Sequence, residues 1–304
     1  MNLQQLQALA TVADEGFSMS AAAEALYRSQ PGVSAHIRAL EEELGMELFF
    51  RQGKRLTGLT PAGEALLPLA RQAVQAARNL KTLAASLRGE EEGMLKLATT
   101  PTQVRFRLPQ VIASFRRLWP KVAIYISEVT PAQAVDLVLR NHVDVAIVTE
   151  GQMPQEGLVA LGYETWRRVV ITPLGHPLDQ APLSLEALAA FPLVTYRFSL
   201  EAGPVAEAFA HAGITPKVAL ATFDALSIKT YVRLGLGVGI VAETAMEEKD
   251  RECFCIFPDD TLFAASTTSA VLKKGALLKK FLFDFLRLLS PLLDPDKVQK
   301  ALAR

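Results

Sequence analysis

Between residues 66 and 87, Leu66, Leu69, Ala73, Ala76, Leu80, Leu83 and Leu87 recur in alternating steps of three and four. That spacing is a heptad seam on one helix. Arg71, Gln72, Arg78 and Lys81 keep the other faces polar. A helix with one apolar stripe must cover it. The economical cover is a second copy of the same helix, which makes a two-fold dimer; the alternative is packing against the rest of its own chain. Thr60 and Pro61 mark the helix start. Pro68 is expected to kink the helix or shorten its first turns. Gly89-Glu-Glu-Glu-Gly93 reads as a polar hinge. The seam therefore divides the chain into a module of residues 1–59, a linker helix of 60–89 and a domain of 90–304.

In the first module Leu3, Leu6, Leu9, Ala10 and Ala13 have helical spacing, and Gly16 ends the run. Ser18 is placed to cap a short alanine-rich helix, and Ser29 to cap the next, with Pro31 in its first turn. In that third helix Val33, Ile37, Leu40 and Leu44 share an arc that should face the core. Gln30, Ser34 and Arg38 form a separate stripe, flanked by the small residues Pro31 and Ala35. Such a face suits a DNA major groove, where Gln pairs with adenine and Arg with guanine. The alternative is an ordinary amphipathic helix with a polar outer face. Beyond Gly45, the segment Leu48–Thr60 reads as a hairpin with Gly53 at its tip. Its Arg51, Lys54 and Arg55 make a basic wing of the kind that contacts phosphates. The run Glu41–Glu43 is expected to stay solvated.

This stretch resembles the LysR-type DNA-binding domain. The resemblance rests on Ala22, Ala23, Leu26, Ser29-Gln30-Pro31, Val33, Ser34, Ile37, Leu40–Glu43, Leu44-Gly45, Leu48-Phe49, Arg51 and Leu59-Thr60-Pro61-Ala62-Gly63. It implies a winged helix-turn-helix that binds double-stranded promoter DNA, with a recognition helix over about Ser29–Leu40. RNA polymerase is then an expected partner.

The chain carries 32 basic and 32 acidic residues, so any DNA-binding charge must be concentrated locally. Its first sixteen residues lack the pattern of a signal peptide. No stretch has the length and apolarity of a membrane span, and a cytoplasmic location is expected. Cys253 and Cys255 have no histidine near them and read as reduced cysteines rather than metal ligands. His36, His142, His176 and His211 are scattered, without a nucleophile or metal partner, which argues against an enzyme. Gly235, Gly237 and Gly239 precede a strand, so they fail as a dinucleotide fingerprint and are expected to serve close backbone packing.

From Met94 onward, short apolar strands alternate with helices, as in doubly wound α/β sheets. A break near Gly151–Gly162 suggests two lobes: about 94–162 with 266–304, and about 163–265. The amphipathic helix Leu277–Leu289 is expected to return to the first lobe. The expected fold is thus an all-α winged helix-turn-helix and linker helix, followed by an α/β two-lobed domain like the periplasmic binding proteins. Ligands in such sheets bind beyond the carboxyl ends of the strands. Three such ends carry polar clusters: Thr99–Gln103, Thr149-Glu150 and Thr195–Ser199. They are read as an anion site, with routine helix capping by threonine as the alternative.

Here ATTPTQVRFRLPQVI, VDVAIVTE, FPLVTY and IKTYVRLGLGVGIVA resemble the CysB-like subgroup of cysteine and sulfur-assimilation regulators. The resemblance implies that Thr100, Thr102, Gln103 and Thr149 bind the effector and that dimers pair into tetramers; no cofactor or metal is expected. Sulfate, an acetylserine or a related anion is the implied effector class. The sequence departs from the subgroup at Pro101, where histidine is common, and at Ser199–Gly203, which lacks a threonine found there. Arg197 and Ser199 are taken as the contacts from this segment. Rival readings are a regulator of another pathway with a carboxylate effector, and a two-lobed solute-binding protein.

Overall fold

A computed structural model describes residues 1–53, 55–89, 91–149, 156–180, 182–258 and 261–303. Lys54 and Glu150, both singled out above, lie outside the described residues. The chain divides into two units, Met1–Glu90 with Gly275–Lys279, and Glu91–Lys274 with Lys280–Arg304.

The first unit contains α1 (Leu3–Asp14), α2 (Met19–Ala25), α3 (Gln30–Leu44), β1 (Phe49–Gln52), β2 (Arg55–Leu59) and α4 (Pro61–Leu87). Local chemistry fixes each start. Asn2 and Gln5 form a capping box on α1; Ser18, Ser29 and Thr60 accept backbone N–H groups at the starts of α2, α3 and α4. Ala8, Leu9, Val12, Ala22, Val33, Ile37, Leu40, Leu48 and Phe49 make one core.

Helix α4 has two apolar faces. Leu67 and Ala70 belong to the core, and Arg71 is ion-paired with Asp14 of α1. The heptad seam lies elsewhere: Leu69, Leu80, Leu83 and Leu87 are 59, 70, 46 and 80% exposed. Within the first unit, the described residues leave these leucines uncovered. Pro68 does not shorten the first turns, because α4 is one continuous helix that begins at Pro61. Pro68 forfeits one N–H bond, while Leu67 and Ala70 beside it hold the turn against the core.

Gly63 explains the end of the Leu-Thr-Pro-Ala-Gly string. A Cβ there would overlap the Leu48 carbonyl oxygen. Alanine is the better helix former by about 1 kcal/mol, but a backbone oxygen cannot move aside. Gly63→Ala is therefore expected to destabilise this unit by about 1–3 kcal/mol, read as a lower melting temperature in circular dichroism.

The second unit holds β3 (Gly93–Thr99), α5 (Pro101–Phe106), α6 (Leu108–Leu118), β4 (Val122–Glu128), α7 (Pro131–Leu139), β5 (Val145–Val148), β6 (Leu158–Trp166) and β7 (Arg168–Pro173). It continues through α8 (Leu185–Ala189), β8 (Leu193–Tyr196), α9 (Arg197–Glu201), α10 (Pro204–His211), β9 (Val218–Thr222) and α11 (Ala225–Arg233). It closes with β10 (Val238–Ala242), β11 (Phe254–Pro258), β12 (Ser266–Lys273), α12 (Lys280–Leu289) and α13 (Pro295–Ala303). Two sheets result, ordered β4-β3-β5-β12-β6 and β11-β7-β10-β8-β9. In each, one strand pairs in parallel with two neighbours: β3 with β4 and β5, and β8 with β9 and β10.

The chain passes from the first sheet to the second between Trp166 and Arg168 and returns into β12. The crossing lies later than the break expected near Gly151–Gly162. The first lobe therefore includes all of β6, a strand the sequence pattern does not separate. Helix α12 does return to the first lobe, where Phe281 and Phe285 pack edge-on against Phe115 of α6. In the second lobe, Cβ atoms at Gly237 and Gly239 would meet the Pro192 carbonyl and the Ile171 side chain. That is the close packing expected of these two; a Cβ at Gly235 would meet open space, and that glycine instead takes a left-handed backbone conformation. Cys255 lies on β11, but Cys253 precedes the strand, so the two do not share a strand face. Burial, and then the Asp179 carboxylate, push the Cys255 thiol up, which favours the protonated thiol.

Candidate DNA interface and ligand site

On α3 the inner residues Val33, Ile37 and Leu40 are fully buried, which fixes the rotation of the helix. Gln30, Pro31 and Arg38 are exposed as a consequence, and Ser34 is half-buried. Ser29 is committed to capping, its Oγ accepting from the Gly32 N–H at 3.3 Å. Gln30 accepts from Ser20 Oγ of α2 at 3.4 Å, a long contact that leaves its amide nitrogen for other work. Arg38 has no ion-pair partner among the described residues.

The wing is built differently from its sequence reading. Register Gln52↔Arg55 closes the hairpin around the left-handed Gly53. Arg55 is exposed, as a phosphate contact requires. Arg51 instead donates to Glu41 Oε2 at 2.6 Å, while Glu41 Oε1 accepts the Leu48 N–H at 2.9 Å. Glu41 is therefore not merely solvated. It ties the wing to the recognition helix, and Arg51 orients the wing as much as it offers charge. Glu43 pairs with the N-terminal amine. The sequence carries no local sign of the Glu41 tie, because its partners lie beyond the helix.

In the second unit the ends of β3 and β8 are built alike. Thr99 Oγ1 donates to the Ile147 carbonyl at 2.7 Å, joining β3 to β5. Thr195 Oγ1 donates to the Ile240 carbonyl at 2.9 Å, joining β8 to β10. These two threonines are structural. Thr100 follows at the N-cap position of α5 but makes no side-chain capping bond. Thr130, by contrast, forms a full capping box with Gln133. Routine capping thus accounts for Thr130 and not for Thr100. Thr100, Thr102, Gln103 and Thr149 are all buried. Among the described residues Thr102 Oγ1 has no hydrogen-bond partner, nor do Trp166 Nε1 and Thr268 Oγ1 in the same unit. Buried polar atoms are normally paired, so three in one domain need a reason.

Helix α5 reaches the second lobe. Phe106 packs against the core cluster of Trp166, Tyr196 and Val241, and Lys229 Nζ lies 5.0 Å from its ring centre. Thr102 and Phe106 are one turn apart, so a group held at Thr102 acts on a helix already seated on the opposite lobe. Ser199 of α9 is buried. Arg197 is not brought in: it is exposed and paired with Glu201 at 2.9 Å. A residue one position past the strand end is turned outward by the first turn of α9.

The buried cations are already engaged. Arg168 donates to the Ala264 carbonyl and Ser266 Oγ at 3.1 and 2.9 Å. Lys229 donates to Asp250 at 2.8 Å. Burial, and then Glu164, push the ionisation of the Tyr163 phenol up, so it stays neutral. The polar groups of the β3–α5 turn are uncharged hydroxyls and an amide, the kind of groups that could hold an anion by dipoles rather than by a counter-charge. Among the described residues no group of His, Cys, Asp and Glu could hold a metal, and no helix is long and apolar enough to cross a membrane.

Two family models match the chain. "Bacterial regulatory helix-turn-helix protein, lysR family" covers residues 3–64, and "LysR substrate binding domain" covers residues 88–293. The HTH-type transcriptional regulator cbl of Escherichia coli (strain K12) is 38% identical over 302 residues, 99% of this chain and 96% of that protein. The HTH-type transcriptional regulator CysB of Haemophilus influenzae is 38% identical over 303 residues, 99% of this chain and 94% of that one. Among solved structures, the cofactor-binding domain of the Cbl transcriptional regulator superposes with a TM-score of 0.64 at 34% identity, covering 70% of this chain and 95% of that one.

Proposed function

This chain belongs to the LysR family of transcription regulators, and from that premise we propose that it controls genes of sulfur or sulfonate metabolism in response to a small anion. It is a DNA-binding regulator and not an enzyme. The residues proposed to meet DNA are Gln30, Pro31, Ser34 and Arg38 on α3, with Ser29 shaping the helix start. Arg51, Lys54 and Arg55 serve the phosphates. The proposed ligand contacts are Thr100, Thr102, Gln103, Thr149 and Ser199; the exposure of Arg197 leaves it outside this set.

The observation that carries the ligand reading is the β3–α5 turn, whose buried threonines spend no side-chain bond on capping. The name of the matching Cbl domain, cofactor-binding, supports a ligand role for this one. Likeness to CysB and Cbl supports sulfate, an acetylserine or a related anion as the effector class. Exposed seam leucines support a dimer through α4, and the family resemblance supports pairing of dimers into tetramers. A promoter-bound regulator of this kind works in the cytoplasm beside RNA polymerase. The effector acts by preferring one arrangement of the lobes, since only differential affinity can shift an equilibrium.

Titration calorimetry with sulfate, thiosulfate, O-acetylserine and N-acetylserine tests this. At least one is expected to bind the wild type. Thr100→Val or Gln103→Ala should weaken that binding by about tenfold or more, the worth of one hydrogen bond to a charged group. Unchanged affinity in both variants would reject the site.

A further inference from the structure

Thr268 is a buried threonine that no strand-end pattern in the sequence picks out. It lies on β12 with none of its surface exposed, and its Oγ1 meets no hydrogen-bond partner among the described residues. The strand register locates it. Thr268 stands opposite Glu164 of β6, and Glu164 accepts from Arg107, the residue that follows α5. On its other side, β12 sets Ser269 opposite Val148. Thr268 is therefore level with Thr149, one residue past Val148, and strand alternation puts both on one face of the sheet. The Arg107–Glu164 pair brings the residue that follows α5 to the cross-strand neighbour of Thr268. Thr268 thus shares a sheet face and a sheet end with Thr149, and its neighbour Glu164 is tied to the residue that follows the helix carrying Thr102.

We propose that Thr268 is a ligand-contacting residue, donating its hydroxyl hydrogen to an oxygen of a small bound oxyanion. The assignment rests on the reading of this cleft as an anion site and extends that site to the returning strand. The physical argument is one of contrast. Thr99 and Thr195, which hold strands together, each spend the hydroxyl on a carbonyl. Thr268 spends its hydroxyl on nothing among the described residues. An unpaired buried hydroxyl destabilises the ligand-free fold. It is retained at no structural gain unless something else takes the hydrogen.

Opposite signs follow for two isosteric variants of the full-length chain. Thr268→Val removes an unpaired polar group and should raise the ligand-free melting temperature by about 2–4 °C. It should also weaken binding of whichever of sulfate, thiosulfate, O-acetylserine or N-acetylserine the wild type takes, by about tenfold or more. Thr99→Val breaks a made hydrogen bond and should lower the melting temperature. Thr268→Ser keeps the hydroxyl and should restore affinity to within a few-fold of wild type. A Thr268→Val protein that binds the same probe as tightly as wild type, or that melts lower as Thr99→Val does, would overturn the Thr268 assignment alone. A wild type that binds none of the four anions would overturn the anion reading itself, and the role of Thr268 with it.

Discussion

Replacing Leu80 and Leu83 together with glutamate is expected to convert the proposed dimer to monomers and to lower operator affinity by about a hundredfold or more. Both side chains are exposed, so the fold of one chain loses no core contact and its circular dichroism should be unchanged. Two seam leucines per helix become four carboxylates at the proposed interface, where burial of unpaired charge is prohibitive. The DNA effect follows from linkage. Two recognition helices on one scaffold bind as a tethered pair, and tethering multiplies affinity by about 10²–10⁴ without any new contact. Sedimentation should show the mass halved, or the tetramer split, and gel shifts should show the operator complex lost. Leu67→Glu is the contrasting variant. It strikes the core face of the same helix and should unfold the first unit. A Leu80→Glu/Leu83→Glu protein that still sediments as a dimer would remove α4 from the interface.

The two-faced character of α4 also shows how far local pattern reaches. Periodicity picks out the seam. It cannot say that Leu67 and Ala70 are taken by the core while Leu69 is left out, because that choice depends on α1 and its Asp14. The strands of the second unit are readable for a related reason. Short apolar runs bounded by turn residues mark strands such as β8 and β10, and the ends of β3 and β8 point at the proposed site by topology alone. What stays hidden depends on distant partners. Glu41 looks solvated until Leu48 and Arg51 fold back onto it. Strand β6 loses its period at an irregularity opposite Thr268 and Ser269, so pattern alone sets the lobe crossing too early. Thr268 itself becomes legible only when β12 inserts between β5 and β6, far from both in sequence. Arg197 fails in the other direction: its place beside a strand end suggests the cleft, and one helical turn carries it out to solvent.

Arg38→Ala is expected to reduce specific operator binding by about 10–100-fold per half-site, the worth of a bidentate base contact, and to leave effector affinity unchanged. Three observations single out Arg38. The buried row Val33, Ile37 and Leu40 fixes the face that α3 turns outward. Arg38 lies on that face in line with Gln30 and Ser34. Unlike Arg51, it has no carboxylate partner among the described residues, so its guanidinium is available to a guanine edge. Arg55→Ala provides the comparison. Arg55 is exposed on the wing, where a charge meets phosphate whatever the sequence. Its loss should weaken specific and non-specific DNA about equally and make the salt dependence shallower by about one counterion. Arg38→Ala should instead collapse the ratio of specific to non-specific affinity, because a phosphate contact carries no sequence information and a base contact carries little else. Measured by competition at one moderate salt concentration, an unaltered ratio would move the reading head of this protein away from Arg38, even if overall affinity fell.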